Sequence, residues 1–284
     1  MENRELTAER IRQFRSYLLQ EEKSQATVEK YLRDVRSFGL FLKERPVQKE
    51  VVLAYKAYLQ ENGYAIRSIN SMLASLNSLF QLFGWQDCKV RSLRLQQQVY
   101  CSEQKELTKA EYYRLLEAAK TDKQIYLVLQ TICSTGIRVS ELQHFTVEAV
   151  KVGEVSVQCK GKNRRILLPE KLKKMLLRYA GEEKIRSGVI FRNRYGRPLN
   201  RGSIWARMKR LCQRANVAME KVFPHNLRKL FARAFYNLDK DIAKLADILG
   251  HSSINTTRIY IMSTGREHRQ MIERLGLIFP NKKP

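Results

Sequence analysis

Nearly everywhere in this chain the apolar residues recur at helical spacing, and in one stretch, Glu154 to Leu168, they alternate instead. That rhythm leaves room for packed helices and one small sheet. In "SQATVEKYLRDVRSFGLFL", Val28, Tyr31, Leu32, Val35, Phe38 and Leu42 make one stripe, while Lys30, Arg33 and Arg36 point elsewhere. Comparable stripes run through "ERIRQFRSYLL", "KEVVLAYKAYL" and "IRSINSMLASLNSLFQLFGW". Four amphipathic helices over residues 1–95 make a small bundle. On the last helix Ser68, Asn70, Ser71, Ser75, Asn77 and Ser78 lie opposite the apolar side. These short donors are placed either to approach a phosphate backbone or to be solvated.

The period then fails in "LQQQVYCSEQ", and residues 96–104 read as a linker. A second domain, 105–284, opens at "LTKAEYYRLLEAA", where Thr108 and Glu111 have capping-box spacing. "KQIYLVLQTICSTG" predicts a buried helix ending at Gly136, and "RVSELQHF" predicts another helix. In "EVSVQCKGKNRRILLP" the alternating Val155 and Val157, a Lys-Gly-Lys-Asn turn and the apolar run Ile166–Leu168 predict a β-hairpin with Lys160 at its tip. Helical patterns return in "LPEKLKKMLLRY", "SIWARMKRLCQRA", "NLRKLFARAFYNL" and "DIAKLADILG". At the end, Thr264 and Glu267 repeat the capping-box spacing. Met271, Ile272, Leu275 and Leu277 then give a helix over 264–277 one greasy side.

Charge says what such a chain meets. Fifty-three Lys and Arg against 28 Asp and Glu leave +25, of which residues 1–100 hold +5 and the rest +20. A polyanion is the expected partner, held mainly by the second domain. No run of about 18 apolar residues is available to cross a membrane, and "MENRELTAER" lacks a secretory segment. A soluble, intracellular protein without membrane contact is expected. Cys88, Cys101, Cys133, Cys159 and Cys212 show no CxxC pairing and read as reduced thiols, not bridges or zinc ligands.

The chain also lacks a Gly-rich phosphate loop, HExxH, GxSxG and carboxylates at two-metal spacing. Metal-dependent nuclease and nucleotide-hydrolase readings lose their support, so neither a metal site nor a cofactor is expected. Phosphoryl transfer without a metal needs cationic donors around the transition state, a nucleophile, and an acid for the leaving oxygen. The candidates are Arg138, Lys160, His225, Arg228, His251 and Tyr260. His225 and Arg228, three apart on a helix, share a face. Arginine suits the clamp because its planar fork bonds two phosphate oxygens and keeps its charge. Taken singly each residue has an ordinary explanation: Tyr260 can pack among Ile259 and Ile261, and Arg138 can merely pair with Glu141.

Taken together, "TGIRVSEL", the hairpin "CKGKNRR…LP", "HNLR" and "LGHSSINTTRIYI", in that order, resemble the motifs of the tyrosine recombinase (phage integrase) family. The resemblance extends to the N-terminal helices and so spans essentially the whole chain. It implies a mainly α fold with a small β-sheet: a helical, SAM-like core-binding domain followed by a catalytic domain of the DNA breaking-rejoining enzyme fold. It implies Tyr260 as the nucleophile that forms a 3′-phosphotyrosyl intermediate and frees a 5′-hydroxyl. Arg138 and Arg228 would hold the non-bridging oxygens, and Lys160 would protonate the leaving oxygen. His225 would assist proton transfer, His251 would hydrogen-bond the phosphate, and Glu141 would support its neighbours. Lys162 and Arg164 are the hairpin's other cations and are expected to bind DNA. One departure stands out: Lys229 and Leu230 follow Arg228 where the family often has a histidine and a threonine.

The partners implied are double-stranded DNA with a specific recombination site and a homo-tetramer on synapsed DNA, or a heterotetramer with a related recombinase. The expected location is the cytoplasm, at the nucleoid. The first helix begins within ten residues of the start, so the expected architecture is the compact two-domain one of Xer-type and some mobile-element enzymes. The alternatives are a type IB topoisomerase and a DNA-binding regulator that has lost catalysis.

Overall fold

In a computed structural model describing residues 4–95, 103–159 and 162–277, the chain divides into two compact units, 1–97 and 98–284. The first holds α1 (Ala8–Gln20), α2 (Gln25–Leu42), α3 (Lys49–Glu61) and α4 (Ile66–Leu82). Thr7 and Ser24 cap α1 and α2 by accepting from the amides of Arg10 and Thr27. The stripe of α2 turns inward: Val28, Leu32, Val35, Phe38 and Leu42 are buried with Phe14 of α1, Tyr55 of α3 and Leu73 of α4.

The polar side of α4 differs from the expectation of phosphate donors. Asn70 donates to the Leu93 carbonyl at 2.9 Å and accepts from its amide at 2.7 Å. Asn77 grips Val90 in the same way, at 3.0 and 3.2 Å. Ser75 is buried and donates to Asp34 at 2.8 Å, while Lys30 neutralises Asp34 at 2.6 Å. Non-repetitive backbone at 90–93 has no ladder of its own, so its buried groups take side-chain partners. Ser68 and Ser71 stay exposed.

In the second unit α5 (Lys109–Ala118), α6 (Lys123–Thr135), α7 (Val147–Val152), α8 (Glu170–Glu182) and α9 (Arg201–Ala215) enclose the main apolar core. Thr108 and Glu111 form the expected capping box. Helix α6 ends at Gly136, whose φ of 65° favours glycine, and a Cβ there would stand 2.3 Å from Phe231. "RVSELQHF" is not an α-helix: Val139–His144 forms a 3-10 helix between Gly136 and Thr146, the cap of α7. Short 3-10 turns are the usual connector over so brief a span.

Strands β1 (Glu154–Cys159) and β2 (Lys162–Leu167) form an antiparallel hairpin in which Val155 opposes Ile166, Val157 opposes Arg164 and Cys159 opposes Lys162. Lys162 and Asn163 therefore belong to β2, not to the four-residue turn expected from the sequence. Directly opposed residues share a face, so Arg164 stands on the inner face with Val155, Val157 and Ile166.

The chain continues through α10 (Pro224–Asp239), α11 (Ile242–Leu249), α12 (Ile254–Ile261) and α13 (Gly265–Arg274). A second, small apolar cluster of Ala232, Leu245, Leu249 and Tyr260 forms there, apart from the main core. Thr264 and Glu267 form the capping box that starts α13, and Met271, Ile272, Leu275 and Leu277 are all exposed. Among the described residues no helix is long and apolar enough to cross a membrane.

Candidate active site

The site is assembled around the last turn of α11. Three successive carbonyls there each accept from a different arginine: Ile248 from Arg164 at 2.6 Å, Leu249 from Arg228 at 2.6 Å, and Gly250 from Arg138 at 3.2 Å. A helix leaves its last carbonyls without intrahelical partners and its C-terminus partly negative. Guanidinium groups are natural partners for both. Gly250 ends the helix with φ 63° and leaves room for the stem of Arg164, since a Cβ there would lie 2.9 Å from Arg164 Cδ.

Arg138, just before the 3-10 helix, donates from Nη1 to Glu141 at 3.0 Å, and its amide donates to the other Glu141 oxygen at 2.8 Å. Glu141 is 4% exposed and also accepts from Arg164 at 2.5 Å. A carboxylate buried to that degree needs such partners to offset its lost hydration. About a third of the Arg138 side chain remains open to solvent.

Pro224 starts α10 and places Arg228 in the second turn, 2% exposed. Arg228 donates to the Gly136 carbonyl at 2.5 Å and lies 3.0 Å from His251 Nε2, with its Nε unpartnered. These acceptors are neutral. Burial first, then Arg138, pulls the Arg228 pKa down to about 10, which leaves it charged at neutral pH. A buried cation held by neutral groups favours an anion beside it.

Because Arg228 only donates, His251 Nε2 must accept, and its proton belongs on Nδ1, 2.9 Å from the buried Thr257 hydroxyl. Desolvation, then Arg228, lowers the His251 pKa to about 4. The Tyr260 ring, 8% exposed on α12, packs 4.8 Å from the His251 ring and 4.9 Å from the His225 ring. Its hydroxyl is 3.4 Å from His225 Nδ1. Much of His225 faces solvent, yet desolvation of its inner edge, followed by Lys229 and Arg228, lowers its pKa too. Both histidines are thus neutral near pH 7.

The structure brings together Arg138, Glu141, His225, Arg228, His251 and Tyr260. Lys160 lies outside the described residues, and of Lys162 only the backbone, opening β2, lies within them. The side chain of Arg164, a cation expected to bind DNA, is 11% exposed and bonded to Glu141 inside the site. Strand parity carried that signal, because Arg164 has the same parity as Ile166 and Leu168. Sequence reasoning also missed Thr257 and the backbone acceptors. Lys229 acquires an internal explanation: it pairs with the buried Glu106 at 2.8 Å, and Arg233 links Glu106 to Glu267 of α13 at 3.9 and 2.6 Å. Among the described residues no group of His, Cys, Asp and Glu is placed to hold a metal ion.

The phage integrase family matches residues 105–267, and the phage integrase N-terminal SAM-like domain matches residues 11–87. The chain belongs to the phage integrase family. This integrase-family protein is 30% identical over 277 residues to Tyrosine recombinase XerA of Thermococcus kodakarensis, covering 94% of this chain and 95% of that one. With XerA of Pyrococcus furiosus the identity is 29% over 288 residues, 98% of each chain. Among solved structures, a lambda integrase dimer bound to a core site covers 92% of this chain and 96% of its own, with TM-score 0.75 and 18% identity. The XerA recombinase crystal structure covers 95% and 99%, with TM-score 0.55 and 23% identity. The integrase-family protein is a tyrosine-type, site-specific DNA recombinase that cleaves and rejoins DNA.

Proposed function

We propose that Tyr260 attacks the scissile phosphate of a specific duplex site, forming a 3′-phosphotyrosyl bond and releasing a 5′-hydroxyl. The observation that carries this reading is the position of the Tyr260 hydroxyl beside His225 and over the Arg228 side of the site, with the guanidinium 5.8 Å from its ring. An ordinary phenol is a weak nucleophile at neutral pH and needs a base or cations to favour the phenolate. Neutral His225 takes the phenolic proton, and Arg138 and Arg228 hold the non-bridging oxygens as charge builds on them. His251 adds a hydrogen bond to the phosphate from Nε2 once its proton moves there from Nδ1, with the Thr257 hydroxyl then donating to Nδ1. Lys160, on the hairpin, supplies the proton for the leaving 5′-oxygen. The phosphotyrosyl bond replaces the phosphodiester with little loss of energy, so attack by a new 5′-hydroxyl reseals the strand without ATP.

In this reading residues 1–95 form the core-binding domain, 96–104 the linker and 105–284 the catalytic domain, working in the cytoplasm at the nucleoid. The acting species is a tetramer on synapsed DNA; the lambda integrase tetramer bound to a Holliday junction has TM-score 0.71 and 19% identity to this chain. The exposed apolar side of α13 then docks on a neighbouring protomer and couples Tyr260 to assembly.

A nicked suicide substrate tests the chemistry. The wild-type chain should give a denaturant-resistant DNA adduct, also in EDTA, and Tyr260→Phe should bind the site equally well without any adduct. An adduct from Tyr260→Phe would show the nucleophile to be misassigned. Relaxation of plasmids lacking any site would favour the topoisomerase alternative.

A further inference from the structure

We infer that Arg164 is a positioning residue, which sets Arg138 and His251 in register through Glu141 and the last turn of α11, and that it does not contact DNA. The inference rests on the recombinase reading of the site. Three observations meet at this side chain. It stands on the inner face of the hairpin, opposite Val157, so the strand aims it at the protein interior. Its guanidinium joins two elements far apart in sequence: Nη2 donates to Glu141 at 2.5 Å and Nη1 to the Ile248 carbonyl at 2.6 Å. Its stem fills the space a Cβ at position 250 would need, 2.9 Å from Cδ.

The consequences pass to groups that meet the phosphate. Glu141 shares its oxygens between Arg164 and Arg138. With Arg164 holding part of its charge, the carboxylate restrains Arg138 without drawing the whole guanidinium inward. Gly250, packed on the Arg164 stem, accepts from Arg138 and immediately precedes His251. One buried cation thereby fixes the 3-10 helix cap, the hairpin and the end of α11 relative to each other. A lysine carries its donors on one compact ammonium at the end of a flexible stem, so it lacks the planar fork that here reaches Glu141 and the Ile248 carbonyl from separate nitrogens.

The test uses the full chain and the nicked suicide substrate. Arg164→Met keeps most of the stem and removes the fork; Arg164→Lys keeps the charge. Site affinity and its salt dependence are measured by gel shift, and the single-turnover rate constant and amplitude of adduct formation are measured at saturating DNA. The expected result for Arg164→Met is unchanged affinity, unchanged salt slope and a rate constant lower by about 100-fold, the scale of misplacing a reacting group by roughly 1 Å. Arg164→Lys should recover part of the rate. Combining Arg164→Met with Glu141→Gln should cost little more than the worse single change, because both break one linkage.

A salt slope reduced by about one, with weaker binding, would make Arg164 a phosphate contact and overturn the inference. A wild-type rate constant with reduced amplitude and a lower melting temperature would overturn it as well, since that is loss of folded protein alone. If the wild-type chain itself gave no adduct, the recombinase reading would fail; a wild-type adduct with a full-rate Arg164→Met would remove only the present inference.

Discussion

The second unit has two apolar clusters, and they serve different halves of the site. The main core runs from α5 to α9 and includes Leu227 and Leu142, so Arg228 and the Arg138–Glu141 cap rest directly on it. Tyr260 belongs to the small cluster, where Ala232, Leu245 and Leu249 are its buried neighbours. Burying an aliphatic side chain stabilises by about 1.5–3 kcal/mol. The side holding Arg138 and Arg228 is therefore backed by more buried apolar side chains than the side holding Tyr260. Regions with little buried apolar area open locally before the whole unit unfolds. Arg138 and Arg228 thus sit against the larger core, whereas Tyr260 sits on the smaller cluster together with the end of α11.

The sharpest test of that division sets Leu129→Ala against Leu245→Ala. Both side chains are fully buried. Leu129→Ala should lower the stability of the entire second unit by about 2–5 kcal/mol, visible as a lower melting temperature and faster amide exchange throughout. Leu245→Ala should accelerate exchange in α11 and α12 while α6 keeps its protection. Equal loss of protection in α6 from both variants would erase the distinction.

Acid offers a second test. His251 has a folded pKa of about 4, below its ordinary value near 6.5, because of desolvation and then Arg228. The folded state binds fewer protons across that window, so stability rises with pH there. As pH falls from about 6.5 to about 4, stability should be lost, and the loss should level off below. Exchange in α11 and α12 should register it before exchange in α6 does. His251→Asn should flatten this pH dependence; an unchanged profile would place the titration elsewhere.

The smallest expected effect concerns α13. The Arg233–Glu267 pair is partly exposed, so Glu267→Gln should cost at most about 1 kcal/mol by thermal denaturation. If the small cluster is as weakly held as its composition indicates, even this change should loosen α13 detectably by exchange. No change there would mean that the Arg233–Glu267 pair does not hold α13.

Much of this was legible in the sequence, and the reasons are specific. Capping boxes at Thr108 and Thr264 are local, so four residues suffice to read them. The helix stop at Gly136 is local too. The gathering of Arg138, His225, Arg228, His251 and Tyr260 was reached through spaced motifs, because no local rule brings residue 138 beside residue 250. What was misread depends on long-range partners. Asn70 and Asn77 look like surface donors until the 90–93 backbone is laid beside them. The inward bonds of Arg164 to Glu141 and the Ile248 carbonyl likewise emerge only when the hairpin is laid against α11. The 3-10 stretch at 139–144 has helical composition, and its short span between two fixed turns decided the outcome.

The acceptors at Gly136, Ile248, Leu249 and Gly250 are main-chain oxygens, which every residue type carries. A substitution at Ile248 or Leu249 changes packing and leaves the acceptor in place. The arginines are thus anchored to something that mutation does not delete, and selection has to guard only the donors and the turn that aims the carbonyls. The two glycines are the exceptions: an added methyl at Gly136 would strike Phe231, and one at Gly250 would strike the stem of Arg164 and reach the wiring itself.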